Sequence, residues 1–253
     1  MDSNLVEIFS SVQGEGPSVG ESTLFIRFAG CDLRCSWCDS PHTWKPSQSC
    51  RIEKQRGSGK FLQVENPVSM NLVLDAAKNL SASSHRWISL TGGEPLLQKS
   101  LPEMASALKA LGTKVQLETH GLEFRRLAEV LTSLDAISMD WKLSKDVKVA
   151  GGPQPVSFSP LHERFLGLAQ AVGLLTVKVV ITPWTTKSEI EEISLSVAKI
   201  APNATLVLQP VTPSGTVHNA PAAELLLSLA RLAETFVQNV RVIPQTHKSY
   251  GAL

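Results

Sequence analysis

Cys31, Cys35 and Cys38 fall within eight residues, in the string CDLRCSWC. Thiolates are soft ligands, and three on one loop can converge on a zinc ion or hold three irons of a cubane cluster. A structural zinc is usually closed by four ligands in spaced pairs, so a triplet standing alone leaves one metal position without a protein ligand. The remaining cysteine, Cys50, lies between Ser49 and Arg51 in a stretch of little periodicity; it is the one candidate for a fourth ligand and reads more readily as a passive thiol. A second motif, Thr91-Gly92-Gly93-Glu94-Pro95, joins two glycines, which let a backbone approach a ligand closely, to a carboxylate able to orient an ammonium. Arg27 alternates with Phe25 and Ala29, which puts the three on one face, and a guanidinium turned inward there is costly without an anion. Ser138, Asp140 and Lys142 share a face by the same alternation, and Glu118 ends the run before them. If that face turns inward, polar groups there need partners, which favours ligand contact over a dry core, while Lys142 equally fits a place at the rim in solvent. Gln13, Gly14 and Glu15 form a glycine-flanked loop able to present backbone groups and one carboxylate. Gln245 and His247, two apart, face one way on an extended chain.

The elements that must position these residues follow from pattern. Short β-rich runs at 23–29 (TLFIRFA), 87–90, 113–119, 136–141, 175–181, 205–211 and 240–244 alternate with amphipathic stretches. Helix signals sit between them: Ser100 with Glu103 and Ser188 with Glu191 fit capping boxes, Pro160 and Pro221 stand where helices begin, and Gly112 and Gly173 close two helices. Strands alternating with helices imply parallel pairing with right-handed crossovers, hence an α/β barrel or partial barrel. The cysteines then lie on the loop after the first strand, at the end of the barrel where active sites form. Residues 41–66, rich in Ser, Pro, Gly, Lys and Arg, read as an irregular insertion that covers the site or moves, and 151–155 as a second irregular link. No composition shift divides the 253 residues, so one domain, 1–253, is expected.

Composition excludes several classes. Hydrophobic residues at 43% and charged residues at 19% describe a soluble globular chain rather than a disordered or collagenous one. Lys plus Arg at 24 against Asp plus Glu at 23 gives a net charge of +1, so neither nucleic acid nor an anionic membrane is expected as a partner. Residues 1–10 show no basic, then apolar, leader pattern, and the longest apolar run, 174–181, is interrupted by Lys178 and far short of the roughly 20 residues that span a bilayer. A cytoplasmic address follows, and with it a metal or redox role for the cysteines rather than a disulfide scaffold.

The triplet C-x3-C-x2-C after the first strand, with TGGEP after the second, resembles the signature of the radical S-adenosylmethionine (SAM) enzymes. That resemblance implies a partial (β/α)6-type barrel, a [4Fe-4S] cluster on Cys31, Cys35 and Cys38, and SAM chelating the open iron. It places SAM contacts at Ser36, Trp37, Asp39, Gly92, Gly93, Glu94, Glu118, Ser138, Asp140 and Lys142. A narrower resemblance is carried by QGEGP (13–17), Glu21-Ser22-Thr23 leading into FIRFAGC, CSWCDS, TGGEP, Leu117-Glu118-Thr119 with Gly121, Met139-Asp140-Trp141-Lys142, LVLQPV and Pro244-Gln245-Thr246-His247-Lys248, in that order. Together these are similar to the 7-carboxy-7-deazaguanine synthases of queuosine biosynthesis, lyases that supply a tRNA modification pathway.

This family contracts the ring of 6-carboxy-5,6,7,8-tetrahydropterin with loss of ammonia. The resemblance implies substrate contacts at Val12, Gln13, Gly14, Glu15, Arg27, Thr91, Gln245 and His247, with Arg27 as the clamp on the substrate carboxylate. It also implies Mg2+ on Ser40, where the family more often has threonine, an external one-electron reductant such as flavodoxin, and a homodimer. Another small radical SAM enzyme, such as a glycyl-radical activase, shares the cluster and TGGEP. A non-catalytic zinc-binding module would explain the cysteines alone.

Overall fold

The computed structural model describes residues 2–251. Its strands are β1 (Leu5–Val12), β2 (Ser22–Phe28), β3 (Leu33–Cys35), β4 (Ser49–Glu53), β5 (Phe61–Glu65), β6 (Trp87–Gly92), β7 (Lys114–Thr119), β8 (Ala136–Asp140), β9 (Val147–Val149), β10 (Leu174–Ile181), β11 (Thr205–Pro210) and β12 (Val240–Val242). Its helices are α1 (Met70–Asn79), α2 (Leu101–Lys109), α3 (Phe124–Val130), α4 (Ser159–Ala169), α5 (Lys187–Ile200), α6 (Ala223–Glu234) and α7 (His247–Tyr250). None is long and apolar enough to cross a membrane among the described residues.

Ten strands form one sheet in the order β12-β11-β10-β8-β7-β6-β2-β1-β4-β5. The seven from β12 to β2 are mutually parallel, and they are the seven strands expected from the sequence. The order is linear, so the barrel is partial. The central strands bury one face: in β10, Val177, Val179 and Ile181 are fully buried while Lys178 and Val180 point the other way, into a cavity. That alternation is the period-2 pleat, and it is what turns selected polar side chains inward. One continuous apolar core runs from Leu5 and Ile26 through Leu117 and Val177 to Leu206 and Leu229.

Three local expectations are corrected. Residues 41–66 are not irregular: β4 pairs parallel with β1, β5 pairs antiparallel with β4, and Cys50 and Ile52 join the core. The hairpin was hidden because β5 offers only half-buried Phe61 and Val64, with no apolar alternation to betray it. It extends the sheet beyond β1, and of residues 41–66 only Thr43 and Trp44 line the cavity. The capping box of α5 is formed by Thr186 and Glu189, two residues before the pair expected. Ser100 precedes α2 without capping it, its hydroxyl instead bonding that of Ser3 at 2.6 Å.

β1 lies outside the seven runs that the sequence pattern marks as strands. It pairs antiparallel with β2, setting Glu7 opposite Arg27. The cysteine loop is also more ordered than a loop: β3 and β9 make a separate two-stranded sheet in which Cys35 stands opposite Val147.

Candidate active site

A cavity of about 440 Å3 opens at the carboxyl ends of the parallel strands. Of the residues proposed for cluster, SAM, magnesium and substrate, all line it except Ser36 and Glu94. Ser36 is clamped by its backbone, its N–H donating to Asp146 O at 2.9 Å and its carbonyl accepting from Thr216 N at 2.8 Å. Glu94 has no exposed surface. Its Oε1 accepts from Leu96 N (3.0 Å) and Thr119 Oγ1 (2.8 Å), and its Oε2 from His120 N (2.8 Å). The carboxylate expected to orient an ammonium is therefore a tie between β6 and the end of β7, and the part of TGGEP left to a ligand is Thr91 and the Gly92-Gly93 backbone.

Those glycines have a packing reason as well. A Cβ on Gly92 would fall 2.3 Å from the carbonyl oxygen of Phe28, and one on Gly93 would fall 2.1 Å from that of Gly30. The motif is thus locked against the chain that leads into the cysteine loop, with Gly93 N–H donating to Phe28 O at 2.9 Å and Glu94 N–H to Gly30 O at 2.8 Å. Gly93→Ala forces that backbone apart, and overpacking of this kind costs roughly 1–3 kcal/mol. The variant should unfold at lower denaturant than the parent and bind less iron; an unchanged midpoint would show that the loop moves aside freely.

The cysteine loop is braced on its second side by His120. Its ring Nε2 lies 3.0 Å from Asp32 Oδ1 while Nδ1 accepts from Leu122 N at 3.2 Å, so the proton sits on Nε2 and is donated to Asp32. Burial opposes protonation of this imidazole, yet Glu94 and Asp32 hold its pKa above the usual value.

The polar wall is a connected row. Asp140 accepts from Lys142 Nζ at 2.6 Å and lies 3.0 Å from Lys178 Nζ; Lys178 also binds Glu15. Glu15 accepts from Gln245 Nε2 at 2.7 Å, Gln245 reaches Asp39 at 3.2 Å, and Asp39 pairs with Lys248 at 2.9 Å. Burial alone would raise the pKa of Asp140 and lower those of the lysines, but the neighbouring opposite charges win: Asp140 is held down, Lys142 and Lys178 are held up. Burial likewise opposes ionisation of Asp39, which Lys248 outweighs, bringing it to about 2. All four groups are charged at neutral pH.

Two expected substrate contacts are partly committed to the fold. Gln13 Oε1 accepts from the N–H groups of Gly14 and Glu15, and its Nε2 donates to Glu118 Oε1 at 2.8 Å. Glu118 also accepts from Ser89 (2.7 Å) and Thr91 (2.8 Å). Arg27 already has an anion within the fold: its Nε donates to Glu7 at 2.9 Å, and Arg51 of β4 holds the other Glu7 oxygen at 2.9 Å. One carboxylate against two guanidiniums leaves a positive excess beside the cavity, and Arg27 lines it over the Phe9 ring. Glu7, His120, Lys178, Gln209 and Lys248 escaped the sequence reading. The one signal for Lys178 was a lone charge in the apolar strand β10.

The Radical SAM superfamily pattern matches residues 25–148. The 7-carboxy-7-deazaguanine synthase of Geobacter sulfurreducens is 34% identical over 252 residues, covering 98% of this chain and 97% of that protein. That of Methanocaldococcus jannaschii is 31% identical, covering 98% and 99%. The chain belongs to the 7-carboxy-7-deazaguanine synthase family. The crystal structure of QueE from Escherichia coli has the same fold, with a TM-score of 0.59 at 20% identity over 98% of this chain and 95% of that one.

Radical SAM enzymes use a [4Fe-4S] cluster and SAM, and the residues here fit both. Cys31, Cys35 and Cys38 face one cavity beside the Gly92-Gly93 backbone, whereas Cys50 is fully buried in the core and lines none of it. Among the described residues no three His, Cys, Asp or Glu side chains are grouped to hold a single ion. A cubane differs in spreading its thiolates over three irons. Burial pushes the Cys31 thiol up to about 12 and raises Cys35, so soft-metal ligation displaces protons there.

Proposed function

We propose that the protein is a radical SAM carbon–nitrogen lyase that converts 6-carboxy-5,6,7,8-tetrahydropterin to 7-carboxy-7-deazaguanine with loss of ammonia. The observation that carries this reading is Arg27: a guanidinium fixed through Nε, on the same cavity as three cysteines. A planar fork whose terminal nitrogens meet no hydrogen-bond acceptor among the described residues suits a carboxylate on a small ligand. Cys31, Cys35 and Cys38 would hold the cluster and the Gly92-Gly93 backbone would lie against SAM, and together these groups would supply one-electron radical chemistry at the pterin. The chain's own residues bind and orient. Arg27 holds the substrate carboxylate, Glu15, Thr91, Gln245 and His247 meet the heterocycle, and Ser138, Asp140 and Lys142 meet SAM together with the Gly92-Gly93 backbone. Val12, Trp37 and the buried Phe25 help exclude water.

Anaerobic incubation with reductant, SAM and the carboxypterin, followed by mass spectrometry, should yield the deazaguanine acid; 5′-deoxyadenosine without that acid would refute the substrate. The same reading includes a single domain, a cytoplasmic address, a homodimer and an external one-electron donor of the flavodoxin type.

Magnesium is part of the proposal through Ser40, whose hydroxyl donates to Asp39 Oδ1 at 2.9 Å at the cavity edge. Mg2+ takes hard oxygen ligands and keeps several waters, so one hydroxyl plus substrate oxygens suffices. Ser40→Ala should blunt the response of turnover to added Mg2+ and leave the cluster intact. An unaltered Mg2+ titration would remove Ser40 from the site.

A further inference from the structure

Lys178 stands between two groups assigned above to different ligands. Glu15 belongs to the loop that meets the pterin, and Asp140 to the strand that meets SAM. The Nζ of Lys178 binds Glu15 Oε2 and lies 3.0 Å from Asp140 Oδ1. Among the described residues no other cation joins these two carboxylates: Lys142 reaches Asp140 alone, and the second oxygen of Glu15 is met by neutral Gln245. The backbone fixes the bridge from below, because β10 and β8 pair in a register that sets Lys178 opposite Asp140. The Lys178 side chain is 12% exposed, so little water is at hand to replace either carboxylate at its ammonium. A shift of one carboxylate therefore drags or strands the other, in surroundings where an unpaired charge is costly.

We infer that Lys178 is a positioning residue that couples the two ligand sites, so that SAM bound on the Asp140 side tightens pterin binding on the Glu15 side, and the reverse. A ligand that fixes Asp140 fixes the ammonium and with it Glu15, and the second ligand then meets a site already ordered. Linkage makes the effect reciprocal, with one factor for both directions. The inference rests on the proposed function for the identity of the ligands.

The test is calorimetric titration of the reconstituted full-length protein, cluster oxidised and reductant absent so that SAM is not cleaved. Pterin is titrated with and without SAM, and SAM with and without pterin. The parent should show a shared coupling factor of roughly 5- to 150-fold. Lys178→Met should bring that factor close to one with iron content unchanged. Lys178→Arg keeps the charge, and with it the fold, but its broad planar head cannot take the same seat between two carboxylates, so its factor should lie between the two.

Independent binding of the two ligands in the parent, or a parental factor in Lys178→Arg, overturns the inference. If Lys178→Met does not fold, the arginine variant decides alone. If the parent binds SAM and not the pterin, the substrate reading fails instead. Lys178 is then judged by SAM affinity, which either variant should weaken; parental SAM affinity in both overturns it.

Discussion

Alanine in place of Cys31, Cys35 or Cys38 is expected to leave the protein unable to hold a [4Fe-4S] cluster, while Cys50→Ala assembles one normally. The three thiols share one cavity wall, and no other cysteine can replace a lost ligand because Cys50 is fully buried on β4, in the core. The loop itself should survive each substitution. Leu33, Val147, Leu122 and Phe158 pack beneath it, and β3 remains paired with β9. Loss of iron would thus reflect a missing ligand rather than a collapsed loop. Cys50→Ala removes one buried sulfur and should cost about 1 kcal/mol of stability, at the scale of a small core truncation. Iron and sulfide per chain after anaerobic reconstitution decide the matter. Near-normal content in Cys35→Ala, or complete loss in Cys50→Ala, contradicts it.

Arg27→Ala should abolish turnover of the carboxypterin while sparing the cluster and SAM binding. Removing one partner of a desolvated charge pair costs roughly 2–5 kcal/mol, which is a loss of affinity of about thirtyfold to a few thousandfold. The fold should tolerate the change, because Glu7 keeps Arg51 at 2.9 Å and is not left without a cation. Slow cleavage of SAM to 5′-deoxyadenosine should persist, since the proposed function gives Arg27 to the substrate and to neither cluster nor SAM. Arg27→Lys should restore only part of the activity: a point charge cannot donate to Glu7 and at the same time present two parallel donors to a ligand. Parental product formation by Arg27→Ala would remove both the clamp and the main support for a carboxylated substrate.

The parts legible in the sequence are those that local pattern determines. Seven parallel strands announce themselves as apolar runs between helix signals, and the cysteine triplet and TGGEP are fixed by identity and spacing alone. What escaped depends on partners far along the chain. Glu94 looks like a ligand until Thr119 and His120 are seen to satisfy it. Arg27 looks unpaired until β1 sets Glu7 opposite it. Lys178 reads as a flaw in an apolar strand, because nothing in LTVKVVI reveals that Glu15 and Asp140 converge on it. The β4–β5 hairpin escaped for a different reason: its strands are short, and one of them lies largely in solvent.

Residues 245–248 are made last among those around the cavity, and their position bears on biogenesis. Thr246 donates to Gly14 O at 2.9 Å, Gln245 joins Glu15 to Asp39, and Lys248 pairs with Asp39, so this short segment sews the first loop of the chain to the cysteine loop. A ribosome releasing about 5–20 residues per second delivers the three cysteines roughly 10–40 s before that stitching exists. At the start of that interval the thiols belong to a half-built pocket, with β10, β11 and β12 still to be added. Iron and sulfide delivered then would meet a chain without its closing segment. A cluster bound at that stage would lack the ties that Gln245 and Lys248 make to Glu15 and Asp39 in the full fold.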